Sequence, residues 1–158
     1  METFIQKEHF QQQTIRYMAQ ITLNFDGSCE PQNPGGNMGF GIVIKMDGSI
    51  IHTDHQNEPA APTNSNNVAE YRALLNGLQW LFDNGHADDD ITVLGDSMLV
   101  IKQMSGEWRA KGGMYFSTFQ KAKSLAGQFK IIKYSWIVRD ENFEADQLSR
   151  NATPAVAE

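Results

Sequence analysis

The stretch ITLNFDGSCEPQNPGG, residues Ile21–Gly36, decides how the rest of the chain is interpreted. Its first six residues alternate apolar and polar side chains, which is the period-two pattern of a strand with one buried face. We predict a strand over Ile21–Asp26 that ends on an aspartate, with Gly27 helping the chain to turn. Asp26 is then either a simple turn residue or a carboxylate placed for function at the end of a strand. The remaining motifs decide between these two interpretations.

The amino-acid composition limits the classes of protein to which the chain can belong. The chain has 158 residues, of which 41% are hydrophobic and 20% are charged, and these values are typical of one globular domain with its own core. Cys29 is the only cysteine, which excludes an intramolecular disulfide and a cysteine-based zinc site. No apolar run approaches the roughly 18 residues of a membrane span, and the polar N-terminus does not resemble a signal peptide. We expect a soluble, cytoplasmic monomer without a membrane partner.

The charge is unevenly distributed along the chain. The net charge of −6 at pH 7 disfavours a polyanionic partner for the chain as a whole. Residues 1–99 carry 4 basic and 13 acidic side chains (net −9), however, whereas residues 100–150 carry 9 and 5 (net +4). The basic final third is compatible with binding to nucleic acid, although scattered solvated charges explain the same numbers.

Hydrophobic periodicity and turn residues predict the elements that follow the first strand. They are a hairpin over residues 40–56 that turns at Asp47-Gly48, a long amphipathic helix over residues 66–85, a short buried strand over residues 90–97, helices around residues 99–104 and 114–126, a strand over residues 129–138 and a helix over residues 142–151. We assign residues 1–19 to an N-terminal extension, residues 20–150 to the domain and residues 151–158 to a C-terminal tail.

The order of these elements, βββαβααβα, predicts an α/β fold built on a five-stranded mixed sheet with flanking helices. The first three strands are antiparallel, and the later strands are joined by helices, which implies parallel crossovers. The first strand and the strand that ends at Asp96 are candidates to lie side by side. In such sheets the ends of parallel strands at a topological switch point form the default site.

Four carboxylates occupy positions that would bring them to this site. Asp26 and Asp96 each close a strand, whereas Glu70 lies at the edge of the apolar stripe of the long helix and Asp146 lies on the last helix. Taken singly, each has an ordinary explanation as a turn residue, a helix cap or a solvated helix charge. Crowded together, they would repel one another unless cations occupied the site. Oxygen ligands alone suit Mg²⁺ or Mn²⁺, and two such ions can support phosphoryl transfer.

Four sequence motifs, in their order along the chain, connect this interpretation with a known protein family. FDGSC...NPGG, NNVAEYRALLNGL, GDSMLVIKQMSGEW and ENFEADQLSR resemble the type 1 ribonuclease H family over roughly residues 20–150. The resemblance implies the ribonuclease H-like fold and cleavage of the RNA strand of an RNA–DNA hybrid with two Mg²⁺ ions per site, or with Mn²⁺, and no small-molecule cofactor. The implied products carry a 5′-phosphate and a 3′-hydroxyl. The implied catalytic and metal-binding residues are Asp26, Glu70, Asp96 and Asp146.

The same resemblance implies the hybrid-binding residues. Cys29, Asn33, Asn66 and Asn67 would line the minor groove of the hybrid, with Ser65 at a phosphate and Trp108 at the DNA strand. A helix N-cap for the segment TNSNN and a core position for Trp108 remain as alternatives. The family's lysine-rich handle is replaced here by a short, mildly basic segment, which predicts weaker hybrid binding and reliance on Lys102, Arg109 and Lys111.

One feature of many family members is absent from this sequence. They carry a histidine in a loop before the last aspartate, whereas all four histidines here lie at position 86 or earlier. The chain therefore resembles the archaeal-type subgroup that lacks both this histidine and the basic handle, and Arg139 or Glu141 is the candidate substitute. Alternative functions are a non-catalytic hybrid-binding module and a DNA-acting nuclease of the same fold.

Overall fold

The computed structural model of the chain describes residues 17–151. Most of the extension assigned to residues 1–19, and residues 152–158 of the assigned tail, lie outside the described residues. Within residues 17–151, no helix is both long enough and apolar enough to span a membrane.

The described elements follow the order βββαβααβα that the sequence predicts. The bounds are β1 Gln20–Glu30, β2 Asn37–Met46, β3 Ser49–Glu58, α1 Asn66–Asp83, β4 Asp90–Gly95, α2 Met98–Met104, α3 Phe116–Ala126, β5 Ile131–Trp136, a short 3-10 helix Arg139–Asn142 and α4 Phe143–Asn151. The five strands form one mixed sheet in the order β3-β2-β1-β4-β5. Strands β1, β2 and β3 are antiparallel neighbours, whereas β4 runs parallel to both β1 and β5. The expected neighbourhood of β1 and β4 is therefore confirmed.

Local chemistry explains the turns and caps that join these elements. Asp47 and Gly48 both have positive φ angles, 51° and 87°, as the tight turn between β2 and β3 requires. The Ser65 hydroxyl accepts a hydrogen bond from the backbone N–H of Val68 and so caps α1. The Ser97 hydroxyl caps α2 in the same way.

The two faces of the sheet are covered by different helices. Leu74, Leu78 and Leu81 of α1 are fully buried in the main core. Helix α4 contacts β1, β2 and β3. Because side chains alternate along a strand, β1 presents its apolar residues to α1 and its polar residues, including Asp26, to the face of α4.

The predicted end of the first strand is wrong. Strand β1 does not stop at Asp26 but continues to Glu30, because β2 pairs with it from Ile21 to Glu30 and places Gly41 opposite Asp26. Only the pairing with β4 stops, at Asn24. Asp26 therefore lies inside a strand, just past the point where one neighbouring strand ends, and Gly27 makes no turn.

Candidate active site

Three carboxylates meet where β4 ends beside β1. Asp26 comes from β1, Asp96 directly follows β4, and Glu70 comes from the first turns of α1. One carboxylate oxygen of each lies within 4.8 Å of those of the other two. The parallel pairing of β1 with β4 explains the approach of the two aspartates, because it brings the same ends of both strands to one edge.

Two glycines allow the helices to reach this place. A Cβ atom on Gly27 would overlap the backbone nitrogen of Glu70 and lie 2.5 Å from the carbonyl carbon of Ala69. A Cβ atom on Gly41 would lie 2.7 Å from the backbone nitrogen of Ser149 in α4. The sheet thus accepts α1 on one face and α4 on the other at neighbouring register positions. Glycine is needed here for close approach rather than for a turn.

Burial and mutual repulsion change the protonation of this cluster. Asp26 and Glu70 are only 6% and 8% exposed. Burial, followed by the charges of Asp96 and Asp146, raises the pKa of Asp26 to about 7, although a hydrogen bond from Ser149 opposes the shift. Burial, followed by the charge of Asp26, raises the pKa of Glu70 to about 8. The charged cluster is therefore costly to the folded chain by itself, and it fits a divalent cation that oxygen ligands would hold.

Asp146 lies in the same cleft but is engaged by arginines. Its Oδ1 atom lies 3.2 Å from Nε of Arg150 and 3.6 Å from Nη2 of Arg139. The cleft, of about 280 Å³, is lined by these three residues together with Asp26, Glu70 and Asp96. All four predicted carboxylates thus reach one cleft, although only three lie within mutual reach of a single ion.

Two buried polar residues that sequence reasoning missed hold the carboxylates in place. The Ser149 hydroxyl lies 2.9 Å from Oδ2 of Asp26 and is fully buried. The Asn142 side chain donates to the backbone oxygen of Phe25 at 2.9 Å and lies 3.4 Å from Oδ1 of Asp96. The only sequence signal is that each lies about one helical turn from Asp146, on the side that faces the sheet.

Part of the predicted hybrid-binding set borders the carboxylates. Cys29, Asn33 and Asn66 line the same cleft. Asn67 follows them at the start of α1 and is half-buried. Ser65 is buried and caps α1, so the helix-cap interpretation of this segment is confirmed for its serine.

The remaining predicted residues lie farther along the surface. Trp108 is 47% exposed, which excludes the core alternative, and it lies with Arg109 and Lys111 in the loop between α2 and α3. Lys102 forms an ion pair with Glu107 at 2.7 Å. None of these residues is part of the cleft lining, whereas Arg139 is. Glu141 is exposed on the short 3-10 helix and does not contribute to that lining.

A second, larger groove lies over α1 and α3. Its volume is about 1380 Å³, and its only carboxylates are Glu58 and Asp83. Glu58 forms an ion pair with Arg72. The acidic cluster is absent from this groove, so we place the candidate active site in the smaller cleft.

Comparison with known proteins identifies the family. A family model described as "Reverse transcriptase-like" matches residues 24–152. The Bifunctional protein Rv2228c of Mycobacterium tuberculosis is 36% identical over 139 residues, which are 87% of this chain and 36% of that protein. The Ribonuclease HI of Halobacterium salinarum is 32% identical over 128 residues, which are 81% of this chain and 61% of that enzyme. The chain thus spans less than two thirds of the length of these curated relatives.

Solved structures agree with the sequence comparison. The N-terminal RNase H domain of Rv2228c, a fusion with maltose-binding protein, has a TM-score of 0.76 and 32% identity, covering 85% of this chain and 93% of that one. RNase H1 of Halobacterium salinarum has a TM-score of 0.74 and 30% identity, covering 84% and 96%. LC11-RNase H1 in complex with an RNA/DNA hybrid has a TM-score of 0.75 and 29% identity, covering 84% and 96%. Because the family model covers most of this chain, and two ribonuclease H structures share at least 30% identity with it over nearly their whole length, the chain belongs to the type 1 ribonuclease H family.

Proposed function

We propose that this chain hydrolyses the RNA strand of RNA–DNA hybrids by two-metal-ion catalysis and leaves 5′-phosphate and 3′-hydroxyl ends. The observation that carries the proposal is the convergence of Asp26, Glu70 and Asp96 within 4.8 Å in a cleft also lined by asparagines. A pure hybrid-binding module would gain nothing from buried acids, because they repel phosphates. LC11-RNase H1, a structural relative, has been solved with an RNA/DNA hybrid.

The four carboxylates would hold the metal ions. Asp26, Glu70 and Asp96, whose oxygens lie within 4.8 Å of one another, would be ligands, and Asp146 in the same cleft would complete the ligand set. Mg²⁺ or Mn²⁺ bound there would activate a water molecule and stabilise the attacking and leaving oxygens of the phosphodiester. Ser149 and Asn142 restrict the rotamers of Asp26 and Asp96, which keeps the ligand geometry ready before binding.

Arg139 is the better substitute for the family's loop histidine. Its guanidinium lines the cleft 3.6 Å from Asp146, whereas Glu141 lies outside the lining. A permanently charged guanidinium near Asp146 would attract the phosphate of the RNA strand and help to orient the carboxylate. It does not exchange protons near neutral pH, so its role differs from that of a histidine base.

Hybrid recognition would extend outward from the cleft. The side chains of Asn33, Asn66 and Asn67 suit hydrogen bonds to 2′-hydroxyls and base edges in a wide minor groove, with Cys29 beside them. Beyond them, Lys102, Trp108 and Arg109 would contact the DNA strand and its phosphates. The Ser65 hydroxyl already accepts the N–H of Val68 as a helix cap, so Ser65 would contact a phosphate by donating its own hydroxyl proton.

A cleavage assay tests the proposal. Labelled RNA–DNA hybrid, duplex RNA and duplex DNA are each incubated with Mg²⁺ or with chelator, and the product ends are then mapped. We expect cleavage of the hybrid alone, only with metal, and its loss in Asp26→Asn. Cleavage that persists in Asp26→Asn would contradict the mechanism, and cleavage of duplex DNA would favour the DNA-acting alternative.

A further inference from the structure

Two loops border the cleft beside the carboxylates. Residues 31–36 join β1 to β2, and residues 59–65 join β3 to α1. The first loop carries Asn33, and the second delivers Asn66 at the start of α1. Both asparagines line the cleft that contains the acidic cluster. The relative position of these two loops therefore sets how far the proposed groove contacts lie from the carboxylates.

Asn64 belongs to the second loop, and its hydrogen bonds connect that loop to the first. Its side chain is 4% exposed, and the amide nitrogen donates to the backbone oxygen of Gly36 at 2.9 Å and to that of Pro59 at 2.8 Å. Its own backbone oxygen accepts from the N–H of Gly35 at 2.9 Å. One buried residue thus satisfies backbone groups on both loops.

Further hydrogen bonds depend on this alignment. The backbone N–H of Asn66 donates to the Asn33 side chain at 3.1 Å, which directly joins the two predicted groove residues. The backbone N–H of Ala60 donates to the Asn37 side chain at 2.9 Å. These exposed bonds compete with water, whereas both amide hydrogens of Asn64 are used in a site shielded from water.

We propose that Asn64 is a positioning residue that fixes the two cleft loops and so presents Asn33 and Asn66 to the hybrid in one arrangement. The inference rests on the proposed function, since it concerns hybrid recognition. Asn64 is not itself a contact with the hybrid, because it is buried between its own loop and the loop that carries Asn33. Holding the loops before binding removes an ordering cost that the hybrid would otherwise have to overcome.

Substitution of Asn64 should separate binding from chemistry. In Asn64→Ala the backbone oxygens of Gly36 and Pro59 lose their partners, and the loops sample several arrangements. We expect the Kd for hybrid and the KM to rise about 10-fold, whereas kcat at saturation stays within about 3-fold because Asn64 contacts none of the carboxylates. The matched control is Asn76→Ala, which removes a side-chain hydrogen bond between α1 and Asp54 of β3 away from the cleft. This control should leave Kd, KM and kcat unchanged.

The outcomes separate this inference from the proposed function. An unchanged KM and Kd in Asn64→Ala, or an equal rise in Asn76→Ala, would overturn the positioning role. Absence of cleavage by the unmodified chain would instead overturn the proposed function.

A measurement on the unmodified chain keeps the inference testable even if Asn64→Ala does not fold. Amide hydrogen exchange should show the N–H groups of Gly35, Ala60 and Asn66 protected together in the free protein. Exchange of these amides as fast as in open loops would show that the loops are not held, and would overturn the inference.

Discussion

The two ends of β4 carry acidic groups that the fold treats in opposite ways. At its beginning, Asp89 is 5% exposed, accepts the backbone N–H of Ala19 at 3.1 Å and lies 2.8 Å from Nδ1 of His86. The next residue, Asp90, forms an ion pair with Lys133 at 3.1 Å. Just past the other end, Asp96 faces Asp26 and Glu70, and none of these three forms an ion pair within residues 17–151.

The comparison distinguishes carboxylates that stabilise the fold from carboxylates whose charge a bound cation would offset. Asp89 ties the chain that enters β1 to the chain that enters β4, and its carboxylate is stabilised by the groups that it contacts, so we call this the compensated end of β4. At the other, uncompensated end, Asp26 and Glu70 are buried beside one another and beside Asp96 with no ion-pair partner within residues 17–151, which is destabilising by itself. The role of a carboxylate in this domain is therefore indicated by the groups that contact it, and not by its burial alone.

The largest expected effect is on the rate of hybrid cleavage, after a substitution at the uncompensated end of β4. Glu70→Gln should reduce hybrid cleavage by roughly 10²–10³-fold, because a neutral amide is a poor ligand for Mg²⁺. The same change should raise the metal-free stability at pH 8, since it removes a buried charge beside Asp26. Cleavage rates and urea denaturation in chelator give the two readouts. A variant that loses both activity and stability would contradict the contrast.

The second effect is on the pH dependence of the metal-free chain. Asp26 and Glu70 have pKa values raised from 3.8 and 4.5 to about 7 and 8, so folding favours their protonated forms. The stabilisation is complete below the ordinary values and is lost as the pH rises through 7 and 8. We expect the free energy of unfolding to fall by about 2–4 kcal/mol between pH 5 and pH 9, which is the amount that one of these two carboxyl groups can contribute.

Thermal denaturation across this pH range, in chelator and in Mg²⁺, measures the effect. Mg²⁺ should restore stability at high pH, because it binds only the folded, ionised cluster. Equal stability at both ends of the range in chelator would contradict the role assigned to burial.

The third effect is expected at the compensated end of β4, where replacing the carboxylate by an amide should lower the stability rather than raise it. Asp89→Asn should lower the free energy of unfolding by about 1–3 kcal/mol, because one oxygen that accepts from Ala19 or pairs with His86 becomes an NH₂ group. Hybrid cleavage below the melting range should be unchanged. Urea denaturation and a cleavage assay on the same preparation check this, and a loss of activity in the folded variant would weaken the distinction between the two ends.

The smallest effect is expected at the ion pair of Lys133 with Asp90 at the same end. Asp90 is only 16% exposed, but Lys133 is 59% exposed, so water screens the lysine side of this ion pair. Lys133→Met should change the free energy of unfolding by less than about 0.5 kcal/mol. A larger loss in urea denaturation would show that the compensated end depends on Asp90 as well as on Asp89.

Elements with a local signal could be predicted from the sequence. Apolar spacing located α1 within two residues, Asp47-Gly48 located the hairpin turn, and the motif around Asp96 located the end of β4. Their determinants lie within a few residues of each other, so a single sequence contains them. The four carboxylates were found because family motifs surround each one.

Features that depend on distant partners could not be predicted in this way. The end of β1 is set by how far β2 pairs with it, and neither strand records this in its own pattern. Asn64 is buried only because its own loop packs against the loop between β1 and β2, which lies more than 20 residues earlier in the sequence. Ser149 has an ordinary helical context, and only the close packing of α4 on Gly41 brings it to Asp26.

The pair Gly27 and Gly41 has a consequence for anyone who wishes to move this site into another protein. Four carboxylates copied onto a different mixed sheet would remain several ångströms apart, because ordinary side chains at these two positions would act as spacers beneath both helices. The transplant would therefore need glycine at these two positions as much as it needs the four carboxylates. The site depends on the absence of a Cβ atom at each glycine as well as on its acidic side chains.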